Sequence, residues 1–152
     1  MKHLFTSEMR QRLVTSRVIA TVTVQDVEDA KPLADALLAG GINTIEITMR
    51  TPAALQAMKI IAENYSEMLV MAGTVISSLQ VRQVQDAGAI CAVAPGMNAR
   101  VLQAAIEAEL PFAPGVATPS EIEEALEFDC DILKFFPAEP MGGLKYLKSM
   151  QA

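Results

Sequence analysis

Short apolar runs recur along this chain at intervals of roughly 20–25 residues, the length of one strand-turn-helix unit. The stretches between them (27–41, 52–65, 77–89, 98–110 and 119–128) carry apolar residues at helical spacing. Strands that alternate with helices in this way predict an α/β fold with a parallel sheet. The predicted strands are VIATVTV (18–24), NTIEIT (43–48), MLVMAG (68–73), AICAVAPG (89–96), PFAPG (111–115) and DILKFFP (131–137).

The junctions between predicted strands and helices also repeat. AGTVISS (72–78), APGMNA (94–99) and APGVATPS (113–120) each run from a strand through glycine to a polar capping residue. A repeated unit of this kind favours a (β/α) barrel over a doubly wound sheet, and no strand is followed by the G-x-G-x-x-G dinucleotide fingerprint. A flavodoxin-like sheet remains the alternative on pattern alone.

Composition excludes several classes of function. A net charge of −6 argues against a nucleic-acid surface and against adsorption to anionic lipid. The polar beginning of the chain and the absence of a membrane-length apolar run predict a cytoplasmic location. His3 is the only histidine, so a histidine-built zinc site is not expected. Cys91 and Cys130 are predicted to be small buried hydrophobic residues, with a disulfide or reactive pair as the alternative.

Period-two alternation places polar side chains on one face of the second predicted strand. Thr44, Glu46, Thr48 and Arg50 share that face, while Ile45, Ile47 and Met49 share the other. In the first strand Thr21 and Thr23 lie together, and in the sixth Lys134 lies with Ile132 and Phe136. Polar groups inside and aliphatic groups toward the helices fit a barrel with a reaction site near the carboxyl ends of its strands.

Lys134 is the principal candidate for chemistry. An ammonium inside an apolar strand is costly, and desolvation beside Ile132 and Phe136 would leave part of the amine uncharged and nucleophilic. Such an amine can form a Schiff base, whose iminium accepts electrons while a carbon–carbon bond breaks or forms. The alternative is a lysine that extends to solvent or pairs with a structural carboxylate.

Schiff-base chemistry needs a group that moves protons, and Glu46 is the inward-facing acid on the early strands. Its alternative is a structural ion pair with Lys134 or Arg50, so both interpretations predict that these groups lie close together. Arg50 could hold a substrate carboxylate, or be a solvated surface arginine. Thr74 could bond an anion, or cap a helix. Gly142 and Gly143 could bind an anion at a helix start, although a plain turn is favoured.

The sequence resembles the KDPG and KHG aldolase family, named for 2-keto-3-deoxy-6-phosphogluconate and 4-hydroxy-2-oxoglutarate. The runs that carry the resemblance are AGGINTIEITMRTP, AGTV, GAICAVAPG, PFAPGVATPSE and LKFFPAE, in that order. The resemblance implies a (β/α)8 barrel, commonly trimeric, that needs no cofactor or metal and releases pyruvate by class I aldol cleavage. It also implies that Lys134 forms the Schiff base, that Glu46 transfers protons, and that Arg50 and Thr74 hold the pyruvate portion.

Family members continue through a seventh and an eighth β/α unit, whereas this sequence ends at KYLKSMQA (145–152). We therefore expect residues 1–152 to be one barrel domain that is truncated before the seventh strand, with the phosphate-binding residues beyond Ala152. Six strands would leave open edges and an exposed lumen. The alternatives are an aldolase for the galactonate isomer, a pyruvate-imine decarboxylase, and an inactive fragment that serves as an interaction module.

Overall fold

The computed structural model describes residues 5–150, so the prediction on His3 falls outside the described residues. Parallel strands form a five-stranded sheet in the order β1-β2-β3-β4-β5, and two further strands, β6 and β7, form a second parallel pair. The bounds are β1 Ala20–Val22, β2 Thr44–Thr48, β3 Leu69–Gly73, β4 Cys91–Val93, β5 Phe112–Ala113, β6 Gly115–Val116 and β7 Lys134–Phe135.

Helices follow the strands as the sequence periodicity predicts. They are α1 Ser7–Ser16, α2 Ala30–Ala39, α3 Ala54–Asn64, α4 Ser78–Asp86, α5 Ala99–Glu107, α6 Pro119–Glu127 and α7 Gly143–Ser149, with a short 3-10 helix at Val27–Asp29. Polar caps fix their starts: Ser77 accepts from the Gln80 amide, and Asn98 from those of Arg100 and Val101. Thr118, in the third of the repeated strand-to-helix junctions, caps α6.

The helices α2 to α6 all cover one face of the sheet. Their apolar residues join Ile45 and Ile47 of β2 and Val70 and Ala72 of β3 in one core. A doubly wound sheet would carry crossover helices on both faces, so the flavodoxin-like alternative is wrong. A parallel sheet with its β/α crossover helices on a single side is the arrangement of a barrel wall.

A smaller apolar cluster lies on the inner face of the same sheet, where the barrel type has its lumen. Leu69, Met71, Cys91 and Val93 meet Phe5 there, with Met9 and Leu13 of α1 packed beside them. The Arg12 guanidinium donates to the Glu67 carbonyl oxygen, just before β3, so α1 covers the amino ends of the strands. Sequence periodicity did not identify α1, whose residues include no fully buried side chain.

The fifth and sixth predicted strands are shorter than predicted. Run 111–115 divides at Pro114 into β5, which pairs with β4, and β6, which pairs with β7. Proline has no amide hydrogen to donate to a ladder, so the strand changes partner at that residue. In run 131–137 only Lys134 and Phe135 form a strand.

Cys91 and Cys130 are both free and buried, so the disulfide alternative is wrong. Burial, reinforced by the Glu46 charge, raises the pKa of the Cys91 thiol to about 12. Burial raises the pKa of Cys130 to about 11, with Asp131 and Asp129 adding to the shift. A raised pKa lowers the share of thiolate, which agrees with the predicted role of both cysteines as small buried hydrophobic residues. In the part of the chain that is described, no helix has the length and apolar character needed to cross a membrane.

Candidate active site

Lys134 and Glu46 meet on the inner face of the sheet, although 88 residues separate them in the sequence. The ammonium Nζ lies 2.9 Å from Oε1 and 3.0 Å from Oε2 of the carboxylate. The Glu46 side chain is 5% exposed and that of Lys134 is 27% exposed, so the carboxylate is buried and the amine is reachable. The Phe136 ring centroid lies 5.6 Å from Nζ.

Strand register explains how Glu46 is held. Thr21 of β1 stands directly opposite Glu46 of β2, and its hydroxyl donates to Oε2 at 3.4 Å. Two residues along the same face, the hydroxyls of Thr23 and Thr48 lie 2.8 Å apart. This confirms the predicted polar inner face of β1 and β2, and the participation of Thr21 in the carboxylate's hydrogen bonds is a detail that alternation alone did not give.

Lys134 reaches this face from β7. Its backbone amide donates to the Pro114 carbonyl oxygen at 2.9 Å, and it stands opposite Gly115 of β6. Leu133 packs into the core on the helix side, while Ile132 joins the inner cluster. The predicted division of run 131–137 into an inner and an outer set of side chains is therefore confirmed, even though most of the run is not a regular strand.

The ion pair lies in a cleft of about 690 Å³, which we call the inner cleft. Apolar side chains form most of its wall, among them Met71, Val93, Ala113 and Ile132, and the polar groups of Thr21, Glu46 and Lys134 converge in it. A largely apolar cleft with a few convergent polar groups is typical of small-molecule sites.

Thr74 follows the last residue of β3 and has an unusual backbone. Its φ is +58°, in the left-handed region that β-branched residues avoid. The cap of α4 is Ser77, so the alternative in which Thr74 caps a helix is wrong. Strained backbone of this kind clusters at ligand sites, which favours the anion-binding interpretation of Thr74.

Arg50 lies in the turn after β2 and is exposed. Within residues 5–150, no acidic side chain forms an ion pair with its guanidinium. Thr48 stands opposite Gly73 in the sheet, so Arg50 and Thr74 follow neighbouring strand ends at the same edge. The structure thus joins Lys134 to Glu46 directly, and it leaves Arg50 and Thr74 near that edge without contact to the pair.

Two further features of the described residues bear on the sequence predictions. Gly142 and Gly143 have φ of +103° and +60°, the geometry of a turn, and α7, which begins at Gly143, has only seven residues. This agrees with the favoured interpretation of a plain turn. No group of three or more histidine, cysteine, aspartate or glutamate residues between 5 and 150 is placed to hold a metal ion.

Comparison with known proteins gives a consistent family. The family described as KDPG and KHG aldolase matches residues 9–152. The 2-dehydro-3-deoxy-phosphogluconate aldolase of Treponema pallidum is 45% identical over 88% of this chain and 64% of its own length. The KHG/KDPG aldolase of Escherichia coli K12 is 40% identical over 91% of this chain and 65% of its own length.

A solved structure extends the similarity to three dimensions. The KDPG aldolase of Legionella pneumophila, with pyruvate captured as a covalent carbinolamine, is 41% identical with a TM-score of 0.84. The match covers 88% of this chain and 65% of that one. This chain therefore spans somewhat less than two thirds of these relatives. Sequence match, fold and the inward lysine–glutamate pair agree, and the chain belongs to the KDPG and KHG aldolase family.

Proposed function

We propose that this chain carries the reactive centre of a class I aldolase. The substrate is 2-keto-3-deoxy-6-phosphogluconate, cleaved to pyruvate and glyceraldehyde 3-phosphate, or 4-hydroxy-2-oxoglutarate, cleaved to pyruvate and glyoxylate. The observation that carries the proposal is the contact of Lys134 Nζ with both oxygens of a buried Glu46 inside the inner cleft. The family of the chain adds to it, as does the Legionella relative in which pyruvate was captured as a carbinolamine.

The contact between Lys134 and Glu46 provides a route for the first proton. At 2.9 Å the ammonium can pass a proton to the carboxylate, which frees the amine to attack the keto carbon. The carbinolamine that forms then loses its hydroxyl as water, with a proton supplied by Glu46, and becomes an iminium. Glu46 is thereby a carboxylate again, ready to act as a base.

Cleavage follows from the electron demand of the iminium. Glu46 removes the proton of the substrate's C4 hydroxyl, the C3–C4 bond breaks, and its electron pair moves into the iminium to give an enamine. The C4 fragment leaves as an aldehyde. The enamine takes a proton at carbon, and water then hydrolyses the imine to release pyruvate and restore Lys134. One water is lost and one is consumed, so the cycle is balanced.

Arg50 and Thr74 are proposed to hold the keto acid. The Arg50 guanidinium has no ion-pair partner within residues 5–150, and it follows the strand that carries Glu46. A guanidinium can bind a carboxylate through two parallel hydrogen bonds. The strained backbone at Thr74 supports a role for its hydroxyl at the neighbouring strand end.

Reductive trapping tests this proposal. The chain is incubated with pyruvate, reduced with borohydride and digested, and the peptide that gains the mass of one reduced pyruvate is identified. We expect the adduct on Lys134, none in a Lys134→Met variant, and slower formation in Glu46→Gln. An adduct on another lysine would refute the assignment, and none at all would favour the non-catalytic interaction module.

Substrate choice needs a second assay. The galactonate isomer and decarboxylation of a pyruvate imine share the lysine step, so trapping does not separate them. Coupled assays of the two proposed substrates, the galactonate isomer and a decarboxylation control would do so. We expect cleavage of at least one of the proposed substrates to exceed both alternatives.

Self-association and location are the remaining proposals. Leu79 of α4 and Ile76 just before it are large apolar side chains that are more than half exposed, so they are available for contact with a second copy. We expect a homotrimer by native mass spectrometry, and a monomer at all concentrations would contradict this. A cytoplasmic location stays a prediction.

A further inference from the structure

Gly73, the last residue of β3, lies against the Glu46 side chain. A Cβ atom built on Gly73 would stand 2.3 Å from Glu46 Oε1, 2.7 Å from its Cγ and 2.8 Å from its Cδ. Ordinary contacts between such atoms are about 3.5 Å or longer. The space that a side chain at position 73 would need is therefore already filled by the carboxylate of Glu46.

The pattern of β3 shows why this position differs from its neighbours. Leu69 and Met71 point to the inner face and fill it with large side chains, and Gly73 is the next residue on that face. Met71 stands opposite Glu46 in the register. Gly73 is therefore the diagonal neighbour of Glu46 toward the carboxyl ends of the strands. Glu46 leans over Gly73 in the direction of Lys134.

We infer that Gly73 is a positioning residue for proton transfer, because its missing side chain lets the Glu46 carboxylate lie where it contacts Lys134. The inference rests on the proposed function. An alanine would force the carboxylate to move by about 1 Å, since 2.3 Å must become an ordinary contact. A displacement of this size is enough to slow an enzymatic step by about 10²-fold.

The backbone conformation of Gly73 allows an alanine to be introduced there without strain. The described glycines with positive φ are Gly41, Gly88, Gly142 and Gly143, so Gly73 has a conformation that alanine can adopt. Gly73→Ala therefore adds one methyl group without backbone strain. Gly40, at the end of α2, is the matched control, because a Cβ there would meet only two carbonyl oxygens, at 3.4 and 3.5 Å.

The first measurement separates imine formation by Lys134 from proton transfer by Glu46. Exchange of the pyruvate methyl hydrogens with deuterium needs the imine and a base, while borohydride trapping at equilibrium reports the imine. We expect Gly73→Ala to slow exchange by about 10²-fold while most of the trapped adduct is kept, and Gly40→Ala to match the parent. An exchange rate in Gly73→Ala equal to that of the parent would overturn the inference.

A double-mutant cycle with Glu46→Ala tests whether the effect passes through Glu46. With the carboxylate removed, Gly73→Ala should cause no further loss of exchange. The Gly73→Ala substitution should also lower the melting temperature when made in the parent, but not when made in the Glu46→Ala variant. Equal losses in both backgrounds would show a general structural role and refute the inference. The melting cycle remains decisive even if the parent forms no imine with pyruvate, which would refute the proposed function instead.

Discussion

Among the described non-glycine residues with positive φ, Thr74 is the only one with a β-branched side chain. The left-handed conformation costs such a residue about 1–2 kcal/mol, because Cβ approaches the following carbonyl oxygen. Strained backbone of this kind is found at ligand sites, and Thr74 directly follows β3, the neighbour of the strand that carries Glu46, so the strain agrees with the proposed binding role.

We therefore expect Thr74→Asn to raise the stability of the chain while weakening its binding of the keto acid. Asparagine enters the left-handed region at lower cost, so the free energy of unfolding should rise by up to about 1 kcal/mol, measured by denaturant titration. The KM for the keto acid should rise because the threonine hydroxyl and methyl are lost. Glu109→Asn is the control: Glu109 has φ of +53° at the end of α5, so stability should rise there with KM unchanged. Unchanged KM in Thr74→Asn would contradict its binding role.

At the scale of single elements, the start of α6 is held by a reciprocal cap. The Thr118 hydroxyl accepts from the Glu121 amide, and the Glu121 carboxylate accepts from the amides of Ala117 and Thr118. The bond from the Ala117 amide is the largest cause that lowers the pKa of Glu121 below its ordinary value of 4.5, and the Thr118 side chain adds to it.

Glu121→Ala should destabilise the chain by about 1 kcal/mol at pH 7, as the loss of a cap does. Because the folded state lowers the pKa of Glu121, its contribution is complete above the unfolded value and disappears as pH falls through the folded value. The difference in melting temperature between parent and variant should therefore shrink below pH 4.5. Glu124→Ala, on the exposed part of the same helix, should show no such trend.

Sequence reasoning succeeded for elements whose signal is local. Periodicity identified α2 to α6, and alternation gave the inner face that carries Glu46, because both depend on neighbouring residues. The change of partner at Pro114 depends on which strand lies beside it, so the run 111–115 did not reveal it. The same holds for Gly73, whose close approach to Glu46 is a contact between two strands.

For the whole molecule, the five-stranded sheet has β1 and β5 as its outer strands, and β6 and β7 each have a single partner, one another. β2 and β3 each have a neighbouring strand on both sides, so the backbone amides that point to either side have hydrogen-bond partners. Hydrogen exchange measured by mass spectrometry should therefore give strong protection in β2 and β3 and weaker protection in β1 and β7. Equal protection of β1 and β3 would show that another strand or a second copy covers that edge.

The separation of 88 residues between Lys134 and Glu46 has a consequence for how activity arises. The two partners come from different sheets, and β7 is the last strand of the described chain. A polypeptide emerging from the ribosome contains Glu46 long before Lys134, so it could form no adduct with pyruvate until β7 docks. During refolding, the ability to form an adduct with pyruvate should appear only in the kinetic phase in which β7 docks, so adduct formation reports that step.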